Sequence, residues 1–221
     1  MIYLLLNVSK GRTLRFIHHQ TKYNMKLKFT SLALLLVVAV SSAFIAPAFK
    51  ADTYKVDVSK STLSWLGKKV TGSHNGSIDL KSGTLLFNGK KLAGGTFTID
   101  MTSIKDADKS ANLEKHLKAD DFFGSDQFAT STFVIKKVAA GSGNVVNVTG
   151  DLTIKGITSA ISFPATVVWN ADGSVTTTAD KVLVDRTKYG IKFRSKSIFP
   201  DVGDKMIYDE FELSIKLVAK K

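Results

Sequence analysis

From residue 51 onward, apolar and polar residues alternate with a period of two along almost the whole chain. That is the pattern of strands with one buried and one solvated face. Thr62–Val70 places Leu63 and Trp65 on one side. Gly83–Phe87 and Leu92–Met101 follow, the second setting Phe97, Ile99 and Met101 against Thr96, Thr98 and Asp100. Asn88-Gly89 between them predicts a hairpin, because both turn positions tolerate positive φ. Further strands are predicted over Thr130–Val138, Asn144–Ile154, Ile157–Asn170, Ser174–Val184 and Glu210–Val218. The last alternates most cleanly, with Phe211, Leu213, Ile215 and Leu217 opposite Glu212, Ser214 and Lys216. Gly141-Ser142-Gly143 and Ala171-Asp172-Gly173-Ser174 separate strands as turns. Pro164 interrupts a strand pattern and predicts an edge, a bulge or a corner there.

One stretch, Asn112–Phe128, does not read as strand. Leu113, His116 and Leu117 stand at i, i+3 and i+4, one face of a short helix. Ser110 or Asp108 upstream is placed to accept hydrogen bonds from the free N–H groups of its first turn. Asp120, Asp121, Gly124, Ser125 and Asp126 then supply turn chemistry around Phe122, Phe123 and Phe128. A polar turn carrying three phenylalanines must bury them, and packing across the end of a β-barrel satisfies that need.

Seven to nine strands with short turns make the chain all-β, as an antiparallel sandwich or a closed barrel. Periodicity does not separate the two. Inward positions rich in aromatics and long aliphatics favour a hollow barrel, which can hold one small ligand; a solid core is the alternative. No repeat, linker or low-complexity tract divides the residues after 48.

Before that point the chain reads differently. Met25 is followed by Lys26 and Lys28, an apolar run Leu32–Val40, Ser41-Ser42 and Ala46-Pro47-Ala48. A basic start, a short apolar centre and an A-x-A site form the layout of a secretory signal peptide over residues 25–48. The run is shorter than the ~20 apolar residues of a membrane span. Residues 1–24 read as an upstream extension with Met25 as the start, or as a long basic lead-in. Periplasmic or secreted localisation is therefore expected. Removal of 48 residues leaves 173 of the 221, suited to one domain over 49–221. Six of the 31 Lys and Arg and none of the 19 Asp and Glu lie before residue 49. The remainder carries 25 cations against 19 anions, about +6 in place of +12. With no cysteine, stability must come from packing, and a lipid anchor on cysteine is excluded.

Catalytic chemistry is poorly supplied after residue 48. Two histidines remain, His74 and His116, and no G-x-S-x-G, P-loop or H-E-x-x-H motif occurs. His116 lies near Asp120 and Asp121, so it reads either as a His–Asp pair or as a packed histidine with one satisfied N–H. His74 sits in a glycine-punctuated stretch that reads as a turn. Neither histidine has a local carboxylate at ligand spacing, so no metal site and no cofactor is expected. Asp79 with Asp100, or Asp201, Asp204 and Asp209, would have to pair for glycosidase-type chemistry, whereas such carboxylates are usually solvated or salt-bridged. Lys68, Lys69, Lys90, Lys91, Lys188, Lys192, Arg194 and Lys196 are spread over several elements without a nucleic-acid motif, so nucleic acid is not an expected partner. A basic rim at a barrel mouth would attract an anionic headgroup, while a solubilising surface is the alternative that accounts for most of these residues.

Five stretches together resemble the YceI-like family of secreted, periplasmic polyisoprenoid-binding proteins. They are Tyr54-Lys55-Val56-Asp57 with Ser61, Gly94–Asp100 (GGTFTID), His116–Phe123 (HLKADDFF), Gly150–Thr158 (GDLTIKGIT) and Asp185–Ile191 (DRTKYGI). Ala129 and Ala160 stand where the family often has proline, and Lys60 where many members carry histidine. The resemblance implies a lipocalin-like antiparallel barrel of about eight strands, with a short helix-containing insert near 108–123. It implies a long isoprenoid or similar lipid in an apolar tunnel, no catalysis, and a homodimer.

The residues and the resemblance together lead to an exported lipid-binding barrel with no membrane span in the mature chain. Expected tunnel residues are Trp65, Phe97, Phe122, Phe123, Phe133, Phe163, Trp169, Phe193 and Phe211. Expected headgroup contacts are His74, His116, Arg186 and Arg194, with a structural role as the alternative for the arginines. The rivals are a small periplasmic hydrolase using His116, and a solid β-domain for protein contacts at the cell envelope.

Overall fold

A computed structural model describes residues 51–221, and the expected extension and signal peptide lie outside the described residues. Nine strands run in chain order: β1 (Asp52–Val56), β2 (Thr62–Lys69), β3 (Gly72–Asn88), β4 (Lys91–Asp106), β5 (Thr130–Ala140), β6 (Val145–Ile154), β7 (Ile157–Trp169), β8 (Val175–Asp185) and β9 (Ile207–Lys220). One α-helix among the described residues, α1 (Ala111–Lys118), joins β4 to β5.

From β2 to β9 each strand pairs antiparallel with the next, and β2 pairs β9 to close the ring. The short β1 pairs both β3 and β9, as β2 does farther along the same two strands. It therefore continues the lane of β2 after the 3-10 turn Val58–Lys60, so nine strands fill eight lanes. A closed ring removes the exposed edges of an open sheet. No helix among the described residues is long and apolar enough to cross a membrane.

Strand alternation follows the expected faces, but β1 is not among the predicted strands, β3 begins at Gly72 instead of Gly83, β4 runs on to Asp106 instead of ending at Met101, and β9 starts at Ile207 instead of Glu210. The stretch around His74 is the start of β3, not a turn; the reversal lies at Val70-Thr71. Its glycine has a packing cause. A β-carbon on Gly76 would collide with the Lys105 carbonyl and the Trp65 ring. Pro164 lies in β7 opposite Asn147 of β6, while β7 meets β8 only over Thr166–Trp169. The first part of β7 is thus a half-edge, the setting that accommodates a residue without an N–H.

Segment Arg186–Ile191 covers that half-edge. Tyr189 and Ile191 are buried, and Gly190, at φ 75°, ends the 3-10 turn Arg186–Tyr189 in the left-handed region. A β-carbon there would approach Ile157 of β7 to 3.3 Å.

The end of the barrel carrying the 88–91, 141–144 and 170–174 turns is filled by Tyr54, Phe87 and Trp169. Their rings meet edge to face at 5.1–5.5 Å. The opposite end carries α1, the turn after it and the 186–206 connection.

Candidate functional site

Between the two ends the inward side chains leave a void. The barrel holds a cavity of about 240 Å³, against the ~10–15 Å³ that one ordered water needs. Its wall takes one face of each long strand, including Leu80, Ile99, Leu152, Ile161, Leu213 and Ile215. An unfilled core costs about 24 cal/mol per Å³, hence up to the order of 6 kcal/mol for this volume. That is comparable with the whole net stability of an ordinary domain. The solid-core alternative is therefore set aside.

Glycines keep the space open. Trp65 is paired across the strands with Gly76, and Phe97 with Gly83. A β-carbon on Gly150 would fall 2.5 Å from the Phe133 ring. Each ring thus lies against a bare stretch of neighbouring backbone, along the wall instead of across the lumen.

Helix α1 roofs one end of the cavity. Ser110 is its N-cap, its hydroxyl accepting from the Leu113 N–H at 3.4 Å. Leu113, His116 and Leu117 all face the cavity, as do Phe122 and Phe123 from the following turn. That turn is held by N–H donation from Phe123 to the Leu117 carbonyl (3.1 Å) and from Gly124 to the Ala119 carbonyl (2.8 Å). The Lys155 ammonium donates to the Asp120 carbonyl at 2.6 Å from the β6–β7 turn. Phe128 turns away and covers Gly124 and Gly156.

Of the nine expected tunnel residues, Trp65, Phe97, Phe122, Phe123, Phe133, Phe163 and Phe211 line the cavity. Trp169 and Phe193 do not. Trp169 belongs to the aromatic plug at the far end, its indole N–H directed at the Lys90 carbonyl at 3.3 Å. Phe193 packs one layer outside the roof, its ring 4.6 Å from His116 and 6.3 Å from Phe122.

The polar residues separate as clearly. His74 and His116 border the cavity, with Lys68 and Lys69. Lys68 forms an ion pair with Glu212, while Lys90 and Lys91 lie at the plugged end. His116 Nε2 is 3.1 Å from Asp121 Oδ2, and its ring is held between Phe122 and Phe193. Both readings of this histidine thus meet in one residue, which is packed and carboxylate-paired.

Arg186 reaches the cavity wall but its donors are occupied. Nε donates to the Tyr208 carbonyl (3.1 Å), Nη1 to Ile191 (2.9 Å) and Nη2 to Ile207 (3.0 Å). Asp209 lies 3.5 Å from Nη2. Only 2% of the side chain is exposed, and burial draws its pKa down against the Asp209 and Asp185 charges. It is a strut between the 186–191 segment and the start of β9. Arg194 is not at the cavity; its guanidinium lies 4.9 Å over the Phe193 ring. Both arginines thus hold structural contacts, the alternative to the headgroup role.

The candidate acid pairs do not face the cavity. Asp79 and Asp100 are opposite each other on β3 and β4, directed outward. Hydrogen bonding from Thr102 lowers the pKa of Asp100. Asp201 and Asp204 are exposed, and Asp209 is taken up by Arg186 and Ser197.

One feature escaped the linear reading. Asp106 and Asp108 are about thirty residues from His74 in sequence, but pairing of β3 with β4 brings them to it, with donor atoms of all three within 4.8 Å of one another. The expectation of no metal site rested on local spacing, which does not register neighbours brought together by strand pairing.

The YceI-like domain profile matches residues 54–219. A UPF0312 protein of Staphylococcus aureus strain USA300 is 42% identical over 105 residues, 44% of this chain and 56% of the relative. The chain thus spans about half the length of the curated relatives it matches. Among solved structures, Burkholderia cenocepacia BcnA shares 26% identity at a TM-score of 0.63, over 75% of this chain and 99% of its own. A polyisoprenoid binding domain from Saccharophagus degradans, implicated in plant cell wall breakdown, shares 15% at a TM-score of 0.59, over 76% and 97%. A Campylobacter jejuni YceI protein shares 21% at 0.51, over 65% and 84%. The last two likenesses speak for the fold alone. With a closed antiparallel barrel, a helical roof and a profile matched over most of its length, the chain belongs to the YceI-like domain family.

Proposed function

We propose that this protein is an exported, non-catalytic carrier or store for a long-chain isoprenoid or similar amphiphilic lipid, its chain in the lumen and its headgroup at the roofed end. The observation that carries this reading is the cavity of about 240 Å³, walled almost wholly by apolar side chains. Each buried CH₂ contributes about 0.8 kcal/mol, so an alkyl chain supplies affinity without a dense polar site. The description of the Saccharophagus degradans domain as polyisoprenoid binding agrees with this ligand class. The signal-peptide pattern of residues 25–48 supports export to the periplasm or beyond. Homodimer formation rests on the family resemblance.

The test is organic extraction of protein purified from its own host, followed by mass spectrometry and by uptake of a prenyl quinone. A lipid near one equivalent per chain is expected. Repeatedly lipid-free protein that takes up no prenyl quinone sinks the reading. The His116–Asp121 pair keeps a hydrolase as the second reading. If His116→Ala abolishes a measured turnover while the fold is retained, that second reading replaces the first.

A further inference from the structure

Beside the cavity, at the outer end of the β3–β4 hairpin, a buried carboxylate and a histidine face each other without a hydrogen bond. Asp106 closes β4, and 1% of its side chain is exposed. Its Oδ2 accepts the Ser110 N–H at 3.1 Å just before α1. Its Oδ1 and the Nδ1 of His74 are both buried and lack a hydrogen-bond partner. The two atoms are 3.9 Å apart. That is too long for a hydrogen bond, yet inside the ~4.2 Å spanned by two metal–ligand bonds of ~2.1 Å. Asp108, exposed on the turn two residues later, adds a third oxygen within 4.8 Å. The Ala107 N–H donates to the Asn75 carbonyl at 2.9 Å and holds the two strands in this relation.

We propose that His74, Asp106 and Asp108 bind a divalent transition-metal ion. One imidazole nitrogen and two carboxylate oxygens suit zinc and its first-row neighbours better than the all-oxygen cations calcium and magnesium. Three protein donors leave at least one coordination position for water or an anionic oxygen. An ion between Nδ1 and Oδ1 would satisfy both unpartnered buried atoms, which otherwise carry a desolvation cost. Because His74 also borders the cavity, the ion would sit at the rim. The assignment is independent of the lipid reading, since it uses only side chains of the hairpin.

The experiment is isothermal titration of zinc chloride into untagged, chelator-treated protein without added lipid. A parallel titration with cobalt(II) is followed by its visible absorption. One equivalent of zinc per chain is expected. Binding should be about tenfold weaker or worse in His74→Gln and in Asp108→Asn, with folding checked by circular dichroism. Asp106→Asn keeps an acceptor for the Ser110 N–H and should show the same loss. If that variant fails to fold, the other two still decide. No zinc binding by the wild type overturns the proposal, as does binding that all the folded variants retain; the pair is then only a buried imidazole and carboxylate.

Discussion

Phe97 on β4 stands directly across from Gly83 on β3, and a β-carbon at position 83 would come within 2.8 Å of the Phe97 ring. The other nearby atoms are 3.0 Å away on Val56 and 3.3 Å away on the same ring. All of them are side-chain atoms, so a methyl group here meets groups that can turn, unlike one at Gly76 or Gly150, where a backbone carbonyl is in the way. The free volume of the barrel thus depends on a residue that contributes no side chain to it.

Gly83→Ala should leave the barrel folded and swing the Phe97 ring into the lumen. If the ring displaces two methylenes of a bound chain, at ~0.8 kcal/mol each, affinity falls about fifteenfold. Titration of a fluorescent prenyl or fatty-acyl probe measures this, alongside far-UV circular dichroism. An unchanged affinity in a folded variant would mean that Phe97 does not bound the ligand space.

Arg186 and Arg194 should respond in opposite ways. Arg186→Ala removes hydrogen bonds to three carbonyls and leaves Asp209 facing a vacated site. Breaking a buried charge pair from one side costs about 3–5 kcal/mol, which for a domain of this size lowers the melting temperature by on the order of 10 °C. Arg194→Ala gives up a cation–π contact worth about 0.5–1 kcal/mol. Lipid bound per folded chain should be unaltered in both. A lipid loss in Arg186→Ala at a temperature where it is fully folded would return this arginine to a headgroup role.

The barrel was legible because each strand has one face toward the lumen and one toward water. Leu213 and Ile215 alternate with Ser214 and Lys216 for that reason, and a turn carrying Phe122 and Phe123 had to find an apolar partner. Depth along the barrel axis was not legible. Trp169 points inward as its parity requires, but it falls in the layer that seals the end, and periodicity carries no axial coordinate. Phe193 lies in a connection where no strand period applies. Nothing in the strand pattern marks Gly83 and Gly150, whose missing β-carbons leave room for the Phe97 and Phe133 rings. The His74–Asp106–Asp108 set arises from pairing of distant segments, and no spacing rule within one segment could reveal it.

The Asp209 carboxylate gives the fold a dependence on acid. Burial acts to raise its pKa, but hydrogen bonding from Ser195 and Ser197 and the Arg186 charge outweigh burial and hold it below the ordinary value of 3.8. Its lowered folded-state pKa means that its stabilisation is complete above the unfolded value and is lost as pH falls through the folded one. Asp57, Asp100 and Asp172 are lowered by the hydroxyls of Ser59, Thr102 and Ser174, but all three are at the surface, half-buried or exposed, and water screens their share. The urea midpoint should therefore be flat from about pH 7 to pH 5 as far as Asp209 is concerned, and fall below about pH 4. Asp209→Asn should lower the midpoint at pH 7 and reduce the drop between pH 7 and pH 3. A variant with the same drop as the wild type would place the acid sensitivity elsewhere than the Arg186–Asp209 strut.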